Sequence, residues 1–313
     1  MLTSFRSTLR FVKHYRANVL ILGLLTILYL PILEYWLMGW LQKSISTEHE
    51  YFSYALLGFP YAAYIIFGQN RTAWEKLGDR ADLVGIICLL VGSVFYLTGA
   101  VTFVNLSFPL VLTGVMGCLK GLSGIKLNAF PLLLIALATP NPLPYLLVPF
   151  TLPLQQFIAA VCGFLLMNMG VKVTVENIFL LVNDKLVEVA PYCAGLKMWF
   201  TSLYVALILV HWSGQLHRRD HEVCLRHRLM ILLAGATFLS LLANIIRNTL
   251  LSLFHGTGNQ AAFESLHAGL GGDIYSLVLL LSIVALNQLM IHRNRQWQNW
   301  QDLSLGETGE ENG

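Results

Sequence analysis

Three residues of this 313-residue chain have side chains that together could carry out acyl transfer: Cys193, Arg247 and His267. Cys193 stands in VEVAPYCAGL, just ahead of an apolar stretch, and a helix N-terminus at that point would lower its thiol pKa by favouring the thiolate. Arg247 lies in ATFLSLLANIIRNTLLSLF with no Asp, Glu, Lys or Arg within ten positions on either side. An ionisable group inside a membrane helix is expensive, so such an arginine is a functional candidate by default. His267, in FESLHAGLGGDIYS, stands at the start of another apolar stretch. A thiol, a guanidinium and an imidazole supply a nucleophile, an oxyanion-stabilising group and a proton shuttle. Taken singly, each has a plainer reading. Cys193 alone would be an inert apolar cysteine like Cys88, Cys118 and Cys162, Arg247 a snorkelling or ion-paired arginine, and His267 an interfacial histidine bonded to a loop. What joins them is the set of elements that carries them.

Those elements are membrane helices. Hydrophobic residues make up 56% of the chain and charged residues only 12%, with a mean hydropathy of +0.64. A soluble domain carries about 25% charged residues, so a soluble globular enzyme is excluded, and so is a disordered chain. Five cysteines without paired spacing give neither a disulfide framework nor a C-x-x-C metal site. A bilayer core needs roughly 17–25 apolar residues per helix. Clear spans run at about 18–40, 52–69, 83–104, 195–213, 229–254 and 271–291. The stretch 106–170 holds three shorter segments, near 106–119, 127–147 and 154–170, interrupted by Lys120, Lys126 and the prolines from Pro131 to Pro153. The first span is read as retained, because no small-x-small cleavage site follows Trp36 and Trp40. Valine-rich alternation around Asn183-Asp184, within 171–192, predicts a small β-hairpin leading into Cys193.

Lysine and arginine in short loops stay cytoplasmic. Arg6, Arg10, Lys13, Arg16, Arg71, Lys76, Arg80, Lys120, Lys126, Arg218, Arg219, Arg226, Arg228, Arg293 and Arg295, fifteen of twenty basic residues, then fall on one face. Both termini are placed in the cytoplasm, with a basic arm at 1–17, a single transmembrane domain at 18–292 and a short tail at 293–313. For the span at 195–213 to start outside, the segments between 106 and 170 must cross an even number of times, most simply twice. The expected fold is all-α with about eight transmembrane helices, and one of 127–147 or 154–170 is re-entrant or interfacial. Cys193, Arg247 and His267 all fall at the outer leaflet, with Arg247 roughly 10 Å below that surface at 1.5 Å per residue.

Other patterns are weaker. Gly121-Leu-Ser123-Gly124 matches a rhomboid-type serine motif but sits between Lys120 and Lys126 on the cytoplasmic side, where a small-residue turn is the better reading. His217, His221, Cys224 and His227 offer an i, i+4 histidine pair, but among four arginines that oppose a divalent cation. No phosphate-binding glycine loop occurs, the basic clusters are juxtamembrane, and nucleic acid is not implied. No metal or organic cofactor is expected. The competing function is a multi-pass transporter binding an anionic substrate at Arg247; it predicts inverted repeats and midplane charges, and gives Cys193 no task.

With these residues in view, the chain resembles the exosortase/archaeosortase family of membrane-embedded cysteine transpeptidases. The resemblance is carried by Val187-Glu-Val-Ala-Pro-Tyr-Cys193-Ala-Gly195-Leu, Asn244-Ile-Ile-Arg247-Asn, His267 with Gly271 four residues later, and Phe130-Pro131, Pro142-x-Pro144 and Leu154-Gln155 upstream. It covers roughly 18–291. It implies a catalytic Cys193, Arg247 and His267 acting as nucleophile, oxyanion stabiliser and general acid/base. It also implies exported, membrane-anchored substrates with a C-terminal sorting signal: a Pro-Glu-Pro motif, a transmembrane helix and a basic tail. An acceptor of unknown identity, a bacterial inner-membrane location and a link to exopolysaccharide complete the expectation. The chain departs from the family pattern at Ala194, where Ser is usual, and at Lys197, where Arg is usual. Gly271-Gly272-Asp273 replaces the usual aromatics, and a short acidic tail, Glu307 to Gly313, stands where some members carry an accessory domain. These departures suggest a divergent, cyanobacterial-type subgroup.

Overall fold

The computed structural model describes residues 2–41, 51–216, 222–267 and 269–310. They form two compact units, Met1–Pro142 and Leu143–Gly313. Five stretches of helix are long and apolar enough to cross a bilayer: Gly23–Leu41, Val101–Leu127, Leu196–Gly214, Arg226–Thr257 and Leu270–Arg293. Shorter apolar helices accompany them. Large apolar side chains cover their outer faces, among them Leu83, Leu90, Leu97, Phe238 and Leu289, each more than 60% exposed. Water would not tolerate so much exposed apolar surface, whereas lipid requires it. The chain is a polytopic helical membrane protein.

In the first unit, α1 (Leu2–Leu41) is followed by α2 (Ala55–Tyr64), which runs into a π turn, Ile65–Gln69. Then come α3 (Arg71–Lys76), α4 (Leu83–Leu97), α5 (Val101–Leu127) and α6 (Ala129–Ala138). The span expected at 83–104 stops at Leu97. The next helix starts at Val101 and absorbs the segment expected at 106–119, because the chain turns at Gly99, whose φ is 67°. Small residues let α4 and α5 approach closely. A Cβ on Gly85 would come within 2.4 Å of the Gly117 backbone, and one on Gly114 within 2.6 Å of Leu89. Without a hydrophobic drive between lipid-immersed helices, such backbone proximity is how they associate. Lys120 does not break α5; the kink is at Gly121, with φ 65°. The Lys120 ammonium donates to the Leu77 carbonyl at 2.7 Å and pairs with Asp79 at 2.8 Å, so the basic clusters at 71–80 and 120–126 meet at one end of the unit. The segment expected at 127–147 is the broken one. Its helix ends after ten residues at Ala138, before Pro140 and Pro142, and covers about 15 Å, half a bilayer core.

In the second unit, α7 (Leu143–Leu147) and a 3-10 turn precede α8 (Leu152–Asn168). Three strands follow, β1 (Val173–Glu176), β2 (Phe179–Val182) and β3 (Lys185–Glu188), antiparallel in that order. The expected hairpin is β2–β3. Asn183 and Asp184 both adopt positive φ, 48° and 66°, the requirement of a two-residue type I′ turn. The third strand, β1, pairs on the other side of β2, with Val173 opposite Val182. The sheet lays Leu180 and Val182 on Ile158, Cys162 and Leu166 of α8 and on Ile245 farther along the chain. After a 3-10 turn at Pro191–Ala194 come α9 (Leu196–Leu216), α10 (Glu222–Thr257), α11 (Gln260–His267) and α12 (Leu270–Glu310). A second core joins α9, α10 and α12 through Ala206, Val210, Leu232, Ala236, Leu279 and Ile283. Arg228, expected in a cytoplasmic loop, is 3% exposed inside this packing, where its guanidinium donates to Ser213 and to Asn287. Helix α10 begins earlier than expected, at Glu222, and places Arg228 on its inner face. His217 and His221 lie outside the described residues.

Candidate active site

The site is assembled by three elements of the second unit: the Pro191–Ala194 turn, one turn of α10, and the end of α11. Pro191 opens the 3-10 turn, and the Cys193 amide closes it on the Ala190 carbonyl at 2.8 Å. Gly195 leaves the turn in the left-handed region, φ 86°, and hands the chain to α9. A side chain is excluded there twice over, by the backbone conformation and because a Cβ would lie 2.7 Å from Cγ of Asn244.

The turn is held through its main chain. Asn244 and Asn248, one turn apart on α10 and both buried, donate their side-chain amides to the Cys193 carbonyl at 3.0 and 3.1 Å. Asn248 also donates to the Asn244 backbone carbonyl at 2.9 Å and to its side-chain oxygen at 3.2 Å. Arg247 stands between them in sequence and is half-buried. Its Nη2 donates to the His267 main-chain carbonyl at 3.1 Å, tying α10 to the end of α11. The His267 ring is exposed and stacks almost parallel on Phe263, one helical turn earlier, with centroids 5.3 Å apart. Tyr275, on α12, donates its hydroxyl to the Ala243 carbonyl and so fastens the same stretch of α10 from the other side.

The electrostatics of the thiol differ from the sequence expectation. Burial pushes the Cys193 pKa above the ordinary cysteine value. Against it act the nearby Arg247 charge and the hydrogen bond within the turn, while Glu188 at the end of β3 adds to the rise. The helix N-terminus does not win because α9 starts at Leu196, three residues later, so the thiol is not in its first turn.

Arg247 is joined to His267 through the histidine's main chain rather than its ring, and its positive charge lies near enough to Cys193 to oppose the rise in the thiol pKa. Cys162 is fully buried, its thiol points to the Ile245 carbonyl at 3.5 Å, and the cluster it belongs to packs against Cys193. Asn244 and Asn248 were not among the residues singled out from sequence for a role. The signal was there, since two amides four residues apart in an apolar helix need partners. Ser123, in the first unit, is exposed on the helix just past the Gly121 kink, where the sequence predicts a small-residue turn. Among the described residues no group of three His, Cys, Asp or Glu side chains is placed to hold a metal ion.

The sequence profile of the family described as transmembrane exosortase matches residues 40–284, more than half of the chain. No curated protein and no solved structure matches it.

Proposed function

The chain belongs to the transmembrane exosortase family, and from that premise we propose that it is a membrane-embedded cysteine transpeptidase acting through Cys193, Arg247 and His267. The observation that carries this reading is the Cys193 turn, pinned to the same turn of α10 that presents Arg247. A structural arginine would gain nothing from an adjacent thiol, but a developing oxyanion would gain from the guanidinium.

His267 accepts the thiol proton as the sulfur attacks the scissile carbonyl carbon. A C–S bond forms, and the carbonyl electrons move onto an oxygen stabilised by Arg247. Collapse breaks the C–N bond, the amine leaves with the proton from His267, and an acyl-thioester remains on Cys193. An acceptor with a hydroxyl or amine, or water, then gives its proton to His267 and attacks the thioester carbon; a C–O or C–N bond forms, the C–S bond breaks, and His267 returns the proton to the sulfur. The substrates proposed are exported proteins with a C-terminal Pro-Glu-Pro-type signal, a membrane helix and a basic tail, whose released product enters protein sorting linked to exopolysaccharide. The site would then face outward from a bacterial inner membrane, with both termini in the cytoplasm.

Co-expression with a tagged protein carrying such a signal tests this. Cys193→Ala is expected to abolish processing while remaining inserted, whereas alanine at Cys88, Cys118 or Cys162 leaves it intact. Full processing by Cys193→Ala overturns the proposal.

A further inference from the structure

We infer that Asn244 and Asn248 are positioning residues of this site: by clamping the Cys193 carbonyl from both sides of Arg247, they fix the thiol and the guanidinium on one turn of α10. The inference rests on the cysteine transpeptidase reading and goes beyond it, because neither asparagine touches the reacting atoms.

The geometry carries it. Residues 244, 247 and 248 share a face of a helix, being three and four apart. Two of them grip one carbonyl oxygen, which can accept two hydrogen bonds, at 3.0 and 3.1 Å. Both are buried, at 1% and 6% exposure, so their amides cannot be exchanged for water without cost. They brace each other, since the Asn248 amide also reaches the Asn244 side-chain oxygen. Gly195 completes the fit, as only a residue without Cβ lets the turn press against Asn244. The peptide plane after Cys193 is thereby locked to α10, and Arg247 moves with the same helix. A turn this short, with a positive-φ exit, would otherwise be free to rotate the thiol away.

The charges acting on the thiol are Arg247 from α10 and Glu188 from the end of β3. Helix α8, which packs on the turn, carries no charged residue, and Lys197 stands in the first turn of α9. Because Arg247 lowers the thiol pKa, its influence reports how close the clamp holds it.

The test uses the full-length protein in membranes and reads two quantities on the inserted fraction. One is the pH midpoint of Cys193 alkylation by iodoacetamide, in a background with the other cysteines replaced by alanine. The other is processing of the tagged substrate. In Asn244→Leu/Asn248→Leu, which keeps the branched shape of the side chain but removes its donors, the midpoint should rise, and adding Arg247→Gln should raise it no further. In the wild-type background Arg247→Gln alone should raise it. Processing should lose about 100-fold in kcat with little change in KM, the scale of a misplacement of about 1 Å. Each single variant, Asn244→Ala or Asn248→Ala, keeps one donor and should lose less than half of that on a logarithmic scale. An unchanged midpoint in the double variant, with the Arg247→Gln shift intact, overturns the assignment while loss of processing in Cys193→Ala leaves the transpeptidase reading standing. Normal processing by Cys193→Ala removes that reading, and the catalytic part of the assignment with it.

Discussion

At the scale of single residues, the roles of Arg247, His267 and Glu188 separate by chemistry. Lysine keeps the charge of Arg247 but loses the planar fork. Arg247→Lys should insert normally and lose about 100- to 1,000-fold in processing per inserted molecule, the usual cost of one oxyanion donor. His267→Ala should lose most of the rate per inserted molecule, because the proton that the thiol gives up then has no acceptor; processing of the tagged substrate checks both variants. Equal activity per molecule in both variants would reduce them to structural residues. Glu188 gives the opposite sign. Its carboxylate raises the thiol pKa, so Glu188→Gln should move the Cys193 alkylation midpoint to lower pH, whereas Arg247→Gln moves it higher. The sequence singles out the three as candidates by their setting, a lone arginine in an apolar helix, a cysteine at a Pro-x-Cys-x-Gly turn and a histidine ahead of an apolar stretch. Arg228 is not singled out, because its neighbours Arg226 and His227 are exposed and only helical phase turns it inward.

At the scale of elements, the decisive device is the short link from β3 to α9. It must reverse the chain within Pro191–Gly195 and press it onto α10. Gly195→Ala adds a left-handed alanine, costing about 1–3 kcal/mol, and a Cβ that meets Asn244. The variant should be less stable in membranes by thermal unfolding and should process about 100-fold more slowly per inserted molecule. Wild-type behaviour would mean that the turn has room to rearrange. The β2–β3 hairpin was legible because Asn-Asp is a turn dipeptide that tolerates positive φ. Strand β1 was less so: Val173–Glu176 carries its own alternation, but its pairing is decided by Val173 facing Val182 across the sheet.

At the scale of the whole molecule, the argument for sidedness rests on charge. The sequence puts fifteen of twenty basic residues in segments that the positive-inside rule assigns to the cytoplasm. Reporter fusions between Arg71 and Arg80 and after Arg295 should read cytoplasmic, and one at Asn183 external. A cytoplasmic reading at Asn183 would put Cys193 on the wrong side for exported substrates.

The sequence by itself determined that this is a polytopic helical membrane protein, where four of its six clear spans lie (18–40, 195–213, 229–254 and 271–291), and which thiol, guanidinium and imidazole are candidates to act together. Those follow from composition, from the bilayer's length requirement and from the cost of an isolated charge, all of which act locally along the chain. Only the tertiary structure decided that α5 runs through Lys120 to Leu127, that 127–147 is the segment that breaks, and that Asn244 and Asn248 hold the Cys193 carbonyl. It also decided the sign of the thiol's perturbation, because burial against charge is a balance between residues distant in sequence. Local pattern fixes what a segment can be, whereas the partners of a buried polar group depend on which segments meet.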